Sequence, residues 1–386
     1  MSAVRSVYFD NNATTPLDPR VREAMLPWLD GMWGNAASAH RFGQAAREAV
    51  EGARAKVASL IDARPEEVVF TASGTEANNA VVAALLRAGR GGQAVISGIE
   101  HPSIPRALEA WGPSSGIEIR RVDPGGDGVV PVEGFASAIG PETRFVALML
   151  VNNELGTIQP VAEVARLCAE RGIPVLCDAV QAAGKIPVSA QELGVDYLTL
   201  GAHKFHGPLG AAALWVRPGA AFDAFLVGGG QERQRRASTA NVPALVGFGR
   251  ACELARQELP TRAARLAELR DRFERGLGAI GDVVVHGAGA PRVPHTTNAA
   301  FLGTVNLELM MRLDLAGYAV STGAACGSGT LQPSAMLLAL GLPVEVALAS
   351  LRISFGTENT VEEIDDFLAL LAAEVASLRA LAPARS

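Results

Sequence analysis

Lys204 stands in the stretch GAHKFHGP, residues 201–208, directly after the apolar run YLTL. A lysine there lies just past the carboxyl end of a buried strand, where ligands of open α/β sheets bind. Its amine could form a Schiff base with an aldehyde, although a solvated loop lysine would read the same way. Asp178, in PVLCDAVQAAGK (174–185), ends another apolar run. A carboxylate so placed is costly without a partner. A protonated pyridine nitrogen would serve, and so would the amides of a helix that Asp178 caps. Gln181, three residues on, could reach the same ligand.

FTASGTEANN (70–79) reads as strand, tight turn and helix. The amides of Gly74 and Thr75 and the Thr75 hydroxyl would then form a phosphate site at a helix N-terminus, or merely a cap. GIEHPSI (98–104) puts His101 at a strand's carboxyl end, where an imidazole could stack on a flat cofactor and move protons. A structural histidine is the plainer alternative. VNNELG (151–156) offers the amide of Asn153. Arg352, in the apolar LRISFG (351–356), needs a carboxylate from a substrate or from the protein itself. Each signal is weak alone. Together they supply a phosphate anchor, an acid for a ring nitrogen, a stacking imidazole and an imine-forming lysine. That set matches pyridoxal 5′-phosphate.

One cysteine stands apart. Cys326 sits in STGAACGSGT (321–330), among small residues that could not pack well. Cys168, Cys177 and Cys252 fall in an amphipathic helix, a core strand and a helix, and read as small apolar residues. No pair has the spacing of a zinc site.

The elements that must hold these groups follow from the pattern. Apolar runs VVFT (68–71), AVIS (94–97), FVALMLV (145–151), IPVLC (173–177), YLTL (197–200) and AALWV (212–216) alternate with helical stretches at 75–88 and 161–172. Several are apolar on successive residues, as strands buried on both faces would be. The expectation is an α/β chain with a large, doubly wound, mostly parallel sheet. A long helical pattern at 244–280 leads into a smaller α+β unit, whose last helix opens with a capping box, Thr360 and Glu363. The expected domains are 15–255, and 1–14 with 256–386, the smaller one carrying the Cys326 loop.

Composition narrows the class. The 386 residues are 49% hydrophobic and 19% charged, with net charge −6. Two domains fit that length. The absence of a basic block argues against nucleic acid as the direct partner. No apolar run spans a membrane and no signal segment is seen, so a cytoplasmic protein with reduced thiols is expected.

With these residues in place, the sequence resembles the cysteine desulfurases, group V aminotransferase-like enzymes of fold type I. The likeness runs from YFDNNATTP (8–16) to LRISFGTENTVEEID (351–365) through TEANN, EHPS, NNELGTIQP, DAVQAAGK, AHKFHGP and GGGQER. STGAACGSGTLQPS resembles the branch with a longer active-cysteine loop, which supplies sulfur for iron–sulfur clusters or thiolated tRNA. The resemblance implies that Lys204 carries the cofactor, Asp178 pairs with its ring nitrogen, Gln181 with its ring oxygen, and His101 stacks on the ring. It implies that Gly74, Thr75, Gly201, Ala202 and His203 surround the phosphate, with Thr239 lent by the second chain of a homodimer. Asn153 and Arg352 would hold the carboxylate of L-cysteine. Cys326 would attack its sulfur and hand it to an acceptor protein, with whose iron–sulfur cluster it could share a ligand role.

The sequence departs from the usual pattern in places. Gly201 replaces a serine, Ser238 a glycine, Leu209 a lysine, and GNAASAH (34–40) has alanines where Pro-Ser is usual. A lost phosphate hydrogen bond would cost roughly 1–3 kcal/mol, so weaker cofactor retention is expected. A related cysteine or selenocysteine lyase, or a degenerate paralogue serving as an assembly scaffold, are the alternative readings.

Overall fold

The apolar runs become strands in a computed structural model that describes residues 6–89, 91–323 and 332–381. In chain order the strands are β1 (Val7–Tyr8), β2 (Val68–Thr71), β3 (Gln93–Ser97), β4 (Glu118–Val122), β5 (Thr143–Ala147) and β6 (Val175–Asp178). They continue as β7 (Tyr197–Gly201), β8 (Ala212–Val216), β9 (Val283–Val285), β10 (Thr296–Phe301), β11 (Tyr318–Ala319) and β12 (Ser350–Ser354). Seven of them form one sheet in the order β2-β8-β7-β6-β5-β3-β4. Only β8 runs antiparallel to its neighbours; the other pairs are parallel.

Successive residues of these strands feed two cores, which is why the runs lack polar alternation. Val68, Phe70, Leu198, Ala213 and Trp215 pack with Val50 and Val57 of the helix Arg41–Leu60 and with Phe248 and Cys252 of the helix Val242–Leu277. Val69, Tyr197, Leu214 and Val216 pack on the opposite face with Val81, Leu85 and Leu108 of the helices Gly74–Arg87 and Pro105–Ser115. Helices on both faces of a mostly parallel sheet make it doubly wound.

A third core lies around the antiparallel sheet β12-β10-β9. Phe9, Phe273, Phe355 and Phe367 meet there, with Phe9 edge-on to Phe367 at 5.1 Å between ring centroids. Each such buried ring contributes roughly 1.5–3 kcal/mol. The helix Val242–Leu277 serves two cores, its buried residues through Ala255 in the first and those from Leu266 onward here. The helix Val361–Leu381 opens on the capping box its sequence predicts. Thr360 N donates to Glu363 Oε2 at 3.1 Å, and Glu363 N to Thr360 Oγ1 at 3.2 Å.

Two elements are shorter than their patterns suggest. The run 145–151 leaves the sheet after Ala147, although Leu148 and Leu150 still donate their N–H groups to Leu176 and Asp178 carbonyls. The helix begun at Val161 ends at Ala169, and Gly172 turns the chain with φ 65°. The N-terminal segment leaves the smaller sheet at Asn11, which donates to Ser354 O, and crosses to the end of β7, where Thr15 N donates to His203 O.

Candidate active site

The carboxyl ends of β3, β5, β6 and β7 open onto a cavity of 670 Å³, closed on other sides by the start of the helix Gly74–Arg87 and by residues 12–13. Gly74, Thr75, His101, Asn153, Asp178, Gln181, His203, Lys204 and Arg352 all line it. Residues up to 278 positions apart thus face one space.

Lys204 follows β7 in a single 3-10 turn. Its Nζ donates to the carbonyls of Asn12 and Ala13 at 2.7 and 2.8 Å. Burial, with the positive charge of Arg352, lowers its pKa to about 8. Such an amine is partly neutral, and so nucleophilic, near physiological pH. Asp178 ends β6 and is 5% exposed. Its oxygens accept from Val180 N at 3.0 Å and Asn78 Nδ2 at 2.7 Å. No α-helix begins there, so the helix-cap reading of Asp178 gives way to a turn. Among the described residues no cation is paired with this carboxylate.

Gln181 is oriented unambiguously. Its Nε2 lies 2.9 Å from Asn12 O, which can only accept, so Oε1 faces Lys185 Nζ at 2.6 Å. His101 Nδ1 lies 2.8 Å from Ser103 Oγ. Burial lowers the His101 pKa, against the pull of Asp178. His203 Nδ1 lies 3.2 Å from Thr14 Oγ1, and burial lowers its pKa to about 4. Arg352 is held by Asp10 at 2.6 Å and Asn153 O at 3.0 Å, while its buried Nε has no partner. The internal salt bridge is therefore present, and one donor is left over.

The helix Gly74–Arg87 starts at the N-cap Ser73, whose side chain accepts from Glu76 N. The amides of Gly74 and Thr75 have no intrahelical partner, as in any first turn, and point positive charge at the cavity. Gly74 lets Val180 pack close: a Cβ there would meet Val180 Cγ2 at 2.8 Å, so that side chain would have to move.

Three expected site residues are not among those lining this chain's cavity, one of them, Thr239, being expected from a second chain. Gly201 and Ala202 do not line the cavity, because the pairing of β7 with β8 and its continuation take up both. Gly201 pairs with Ala212, and Ala202 donates its N–H to Ala211 O. Thr239 is exposed and lies outside this chain's cavity. Cys326 lies outside the described residues, as does its suggested ligand role. The flanking Gly323 and Gln332 both line the cavity. Ser334 donates to Glu154 Oε2 at 2.6 Å, and Gly323, at φ 81°, packs so close that a Cβ would meet the same oxygen at 2.7 Å. The other three cysteines are fully buried, and burial pushes the Cys168 thiol up to about 12 and the Cys177 and Cys252 thiols well above their usual value.

The family model for class-V aminotransferases matches residues 7–367. The chain belongs to that family. Among its class-V relatives, it is 38% identical over 382 residues to the cysteine desulfurase IscS of Dictyoglomus turgidum, covering 98% of this chain and 97% of that one. It is 40% identical over 376 residues to a cysteine desulfurase of Bradyrhizobium diazoefficiens, covering 97% and 95%. A solved NifS-like protein superposes with a TM-score of 0.91 at 34% identity, covering 96% of this chain and all of that one. The structure of SspA in complex with cysteine matches with a TM-score of 0.80 at 29% identity, covering 92% and 99%.

This class-V site fits pyridoxal phosphate on its own geometry. A buried carboxylate without a cation, a lysine with lowered pKa and unpaired helix amides face one cavity. It also holds residues that motif reading missed. Asn12 joins Lys204, Gln181, Lys185, Asn153 and His295 through its backbone and side chain. Glu100 lines the cavity, accepts from Ser97 Oγ at 2.5 Å and Met149 N at 2.8 Å, and leaves Oε2 without a partner. Burial raises its pKa to about 8. Lys185 closes DAVQAAGK, and a lysine among small apolar residues was the available signal. Among the described residues no helix is long and apolar enough to cross a membrane.

Proposed function

We propose that this chain is a pyridoxal-phosphate-dependent cysteine desulfurase, taking L-cysteine to L-alanine and passing the sulfur through Cys326 to an acceptor protein. The observation that carries this reading is the meeting of Lys204, Asp178 and both flanks of the Cys326 segment on one cavity. The named relatives and the cysteine complex of a structural neighbour support it. Residues 15–255 would form the cofactor-carrying unit, with 1–14 and 256–386 as the smaller one.

When bound, the cofactor supplies an electron sink for charge developing at the substrate α-carbon. Asp178 would offer its carboxylate to a protonated ring nitrogen, and Gln181, which keeps one N–H beyond the one given to Asn12, would donate to the ring oxygen. The amides of Gly74 and Thr75, with His203, hold the phosphate, and Thr239 of a second copy completes it in a homodimer. Arg352 and Asn153 receive the substrate carboxylate. Lys204, with its amine near neutrality, takes the α-proton at Nζ. The Cys326 thiolate attacks the substrate sulfur. The new S–S bond leaves a persulfide on Cys326, and the electrons of the broken carbon–sulfur bond take a proton to give the methyl group of alanine.

The test is direct. Purified protein given the cofactor and L-cysteine should release alanine and carry a persulfide on Cys326. Cys326→Ala should bind the cofactor and L-cysteine yet form neither sulfide nor persulfide. Sulfide release by that variant at the wild-type rate would refute the assignment of the nucleophile.

A further inference from the structure

Asn78 ties two groups of the site together. It sits in the second turn of the helix Gly74–Arg87 and is 1% exposed. Its Nδ2 spends one hydrogen on Asp178 Oδ2 at 2.7 Å and the other on Ser103 Oγ at 2.9 Å. The amide cannot be turned over, because its oxygen would then face a carboxylate oxygen that only accepts.

Ser103 is itself fixed. It is buried, and its carbonyl accepts from Asn79 Nδ2 at 2.8 Å. A hydroxyl that receives a hydrogen bond has its own hydrogen to give, and Ser103 Oγ lies 2.8 Å from His101 Nδ1. The Ser103 backbone N–H points at the same nitrogen from 3.2 Å. A hydrogen on Nδ1 would collide with that N–H. Nδ1 is therefore an acceptor, and a neutral ring carries its hydrogen on Nε2. Among the described residues Nε2 has no hydrogen-bond partner, and the ring lines the cavity.

We propose that Ser103, held by Asn78, is a positioning residue that fixes His101 in the neutral form protonated on Nε2, so that the ring meets substrate first as a hydrogen-bond donor. The consequence for catalysis rests on the function proposed above; the choice of ring nitrogen does not. It gives the proton traffic a direction. His101 must release its Nε2 proton before that nitrogen can accept one, and Nδ1 is closed to the cavity by Ser103. Burial opposes a second proton on the ring, which agrees with this geometry.

Histidine nitrogen resonances test the proposal. The chain has six histidines, and loss of a signal in His101→Gln assigns His101. Spectra are taken on the cofactor-loaded protein and again after the cofactor is stripped. The expected result is an unprotonated Nδ1 and a protonated Nε2 in both. Ser103→Ala should move the tautomer ratio toward Nδ1–H by roughly fivefold, the worth of one hydrogen bond, and Ser103→Thr should restore it. A protonated Nδ1 in the wild type, or an unchanged ratio in Ser103→Ala, would overturn the proposal. If Ser103→Ala fails to fold, the wild-type spectrum alone decides. A protein that takes up no cofactor would sink the functional reading, while the stripped spectrum would still decide this one.

Discussion

Lys185 Nζ lies 2.6 Å from Gln181 Oε1 and 3.3 Å from Asn12 Oδ1, with no carboxylate paired to it among the described residues. It is 7% exposed. Burial holds its pKa well below the usual lysine value, and the charges of Lys204 and Arg352 add to that effect. A lysine with a lowered folded pKa binds fewer protons folded than unfolded, so its contribution to stability rises as pH climbs toward the unfolded value near 10.5.

Lys185→Met removes that slope. Urea unfolding at pH 7 and pH 9.5 should show a smaller gain with pH for the variant than for the wild type. Equal gains would mean that the Lys185 amine is charged in the folded protein.

Glu100 titrates in the opposite sense. Burial raises its folded pKa to about 8, above the usual carboxylate value of about 4.5. The folded state then holds the extra proton between those values, and stability falls as pH rises through the window. Glu100→Gln keeps an acceptor for Ser97 and Met149 and removes the ionisation. The variant should come close to the wild type near pH 5 and gain on it by roughly 3–4 kcal/mol on going to pH 8. The comparison of unfolding free energies at the two pH values checks this.

Most of the chemistry was legible because it sits at strand ends. The runs before Asp178, Lys204 and His101 are largely apolar on both faces, so polar groups just past their ends reach the crevice. What stayed hidden depends on contacts between distant segments. Nothing near Asn12 announces that its carbonyl receives Lys204, 192 positions away. Asn78 reads as a helical polar residue until Asp178 and Ser103 come to meet it. In the sequence Gly201 signifies only a lost hydroxyl, and the structure adds a steric reason for it. A Cβ there would meet Val180 Cγ1 at 3.2 Å, and the other Val180 methyl is already packed against Gly74.

That wedge makes a prediction about coupling. Gly201→Ser should lower stability by roughly 1–2 kcal/mol through overpacking. In the presence of Val180→Ala the same change should be nearly free, giving a coupling of about 1 kcal/mol in a double-mutant cycle. Additive effects would show that Val180 does not set the size of residue 201.

Ser238 holds φ 116°, a region that glycine adopts without strain. The cost to a residue with a side chain is roughly 1–3 kcal/mol, against roughly 0.4–1 kcal/mol for the added freedom of an unfolded glycine. Ser238→Gly should therefore stabilise the protein by about 1 kcal/mol in denaturant unfolding. A loss of stability would show that the serine makes a compensating contact.

Delivery of the sulfur of L-cysteine to Cys326 within one cavity, as proposed above, can be followed atom by atom. The measurement is a single turnover of cofactor-loaded protein with isotopically labelled L-cysteine, followed by mass spectrometry of the peptide holding residue 326. One labelled sulfur on that peptide is expected for each alanine released, and none on the peptides of Cys168, Cys177 and Cys252. Alanine released without labelled sulfur on Cys326 would contradict the proposal.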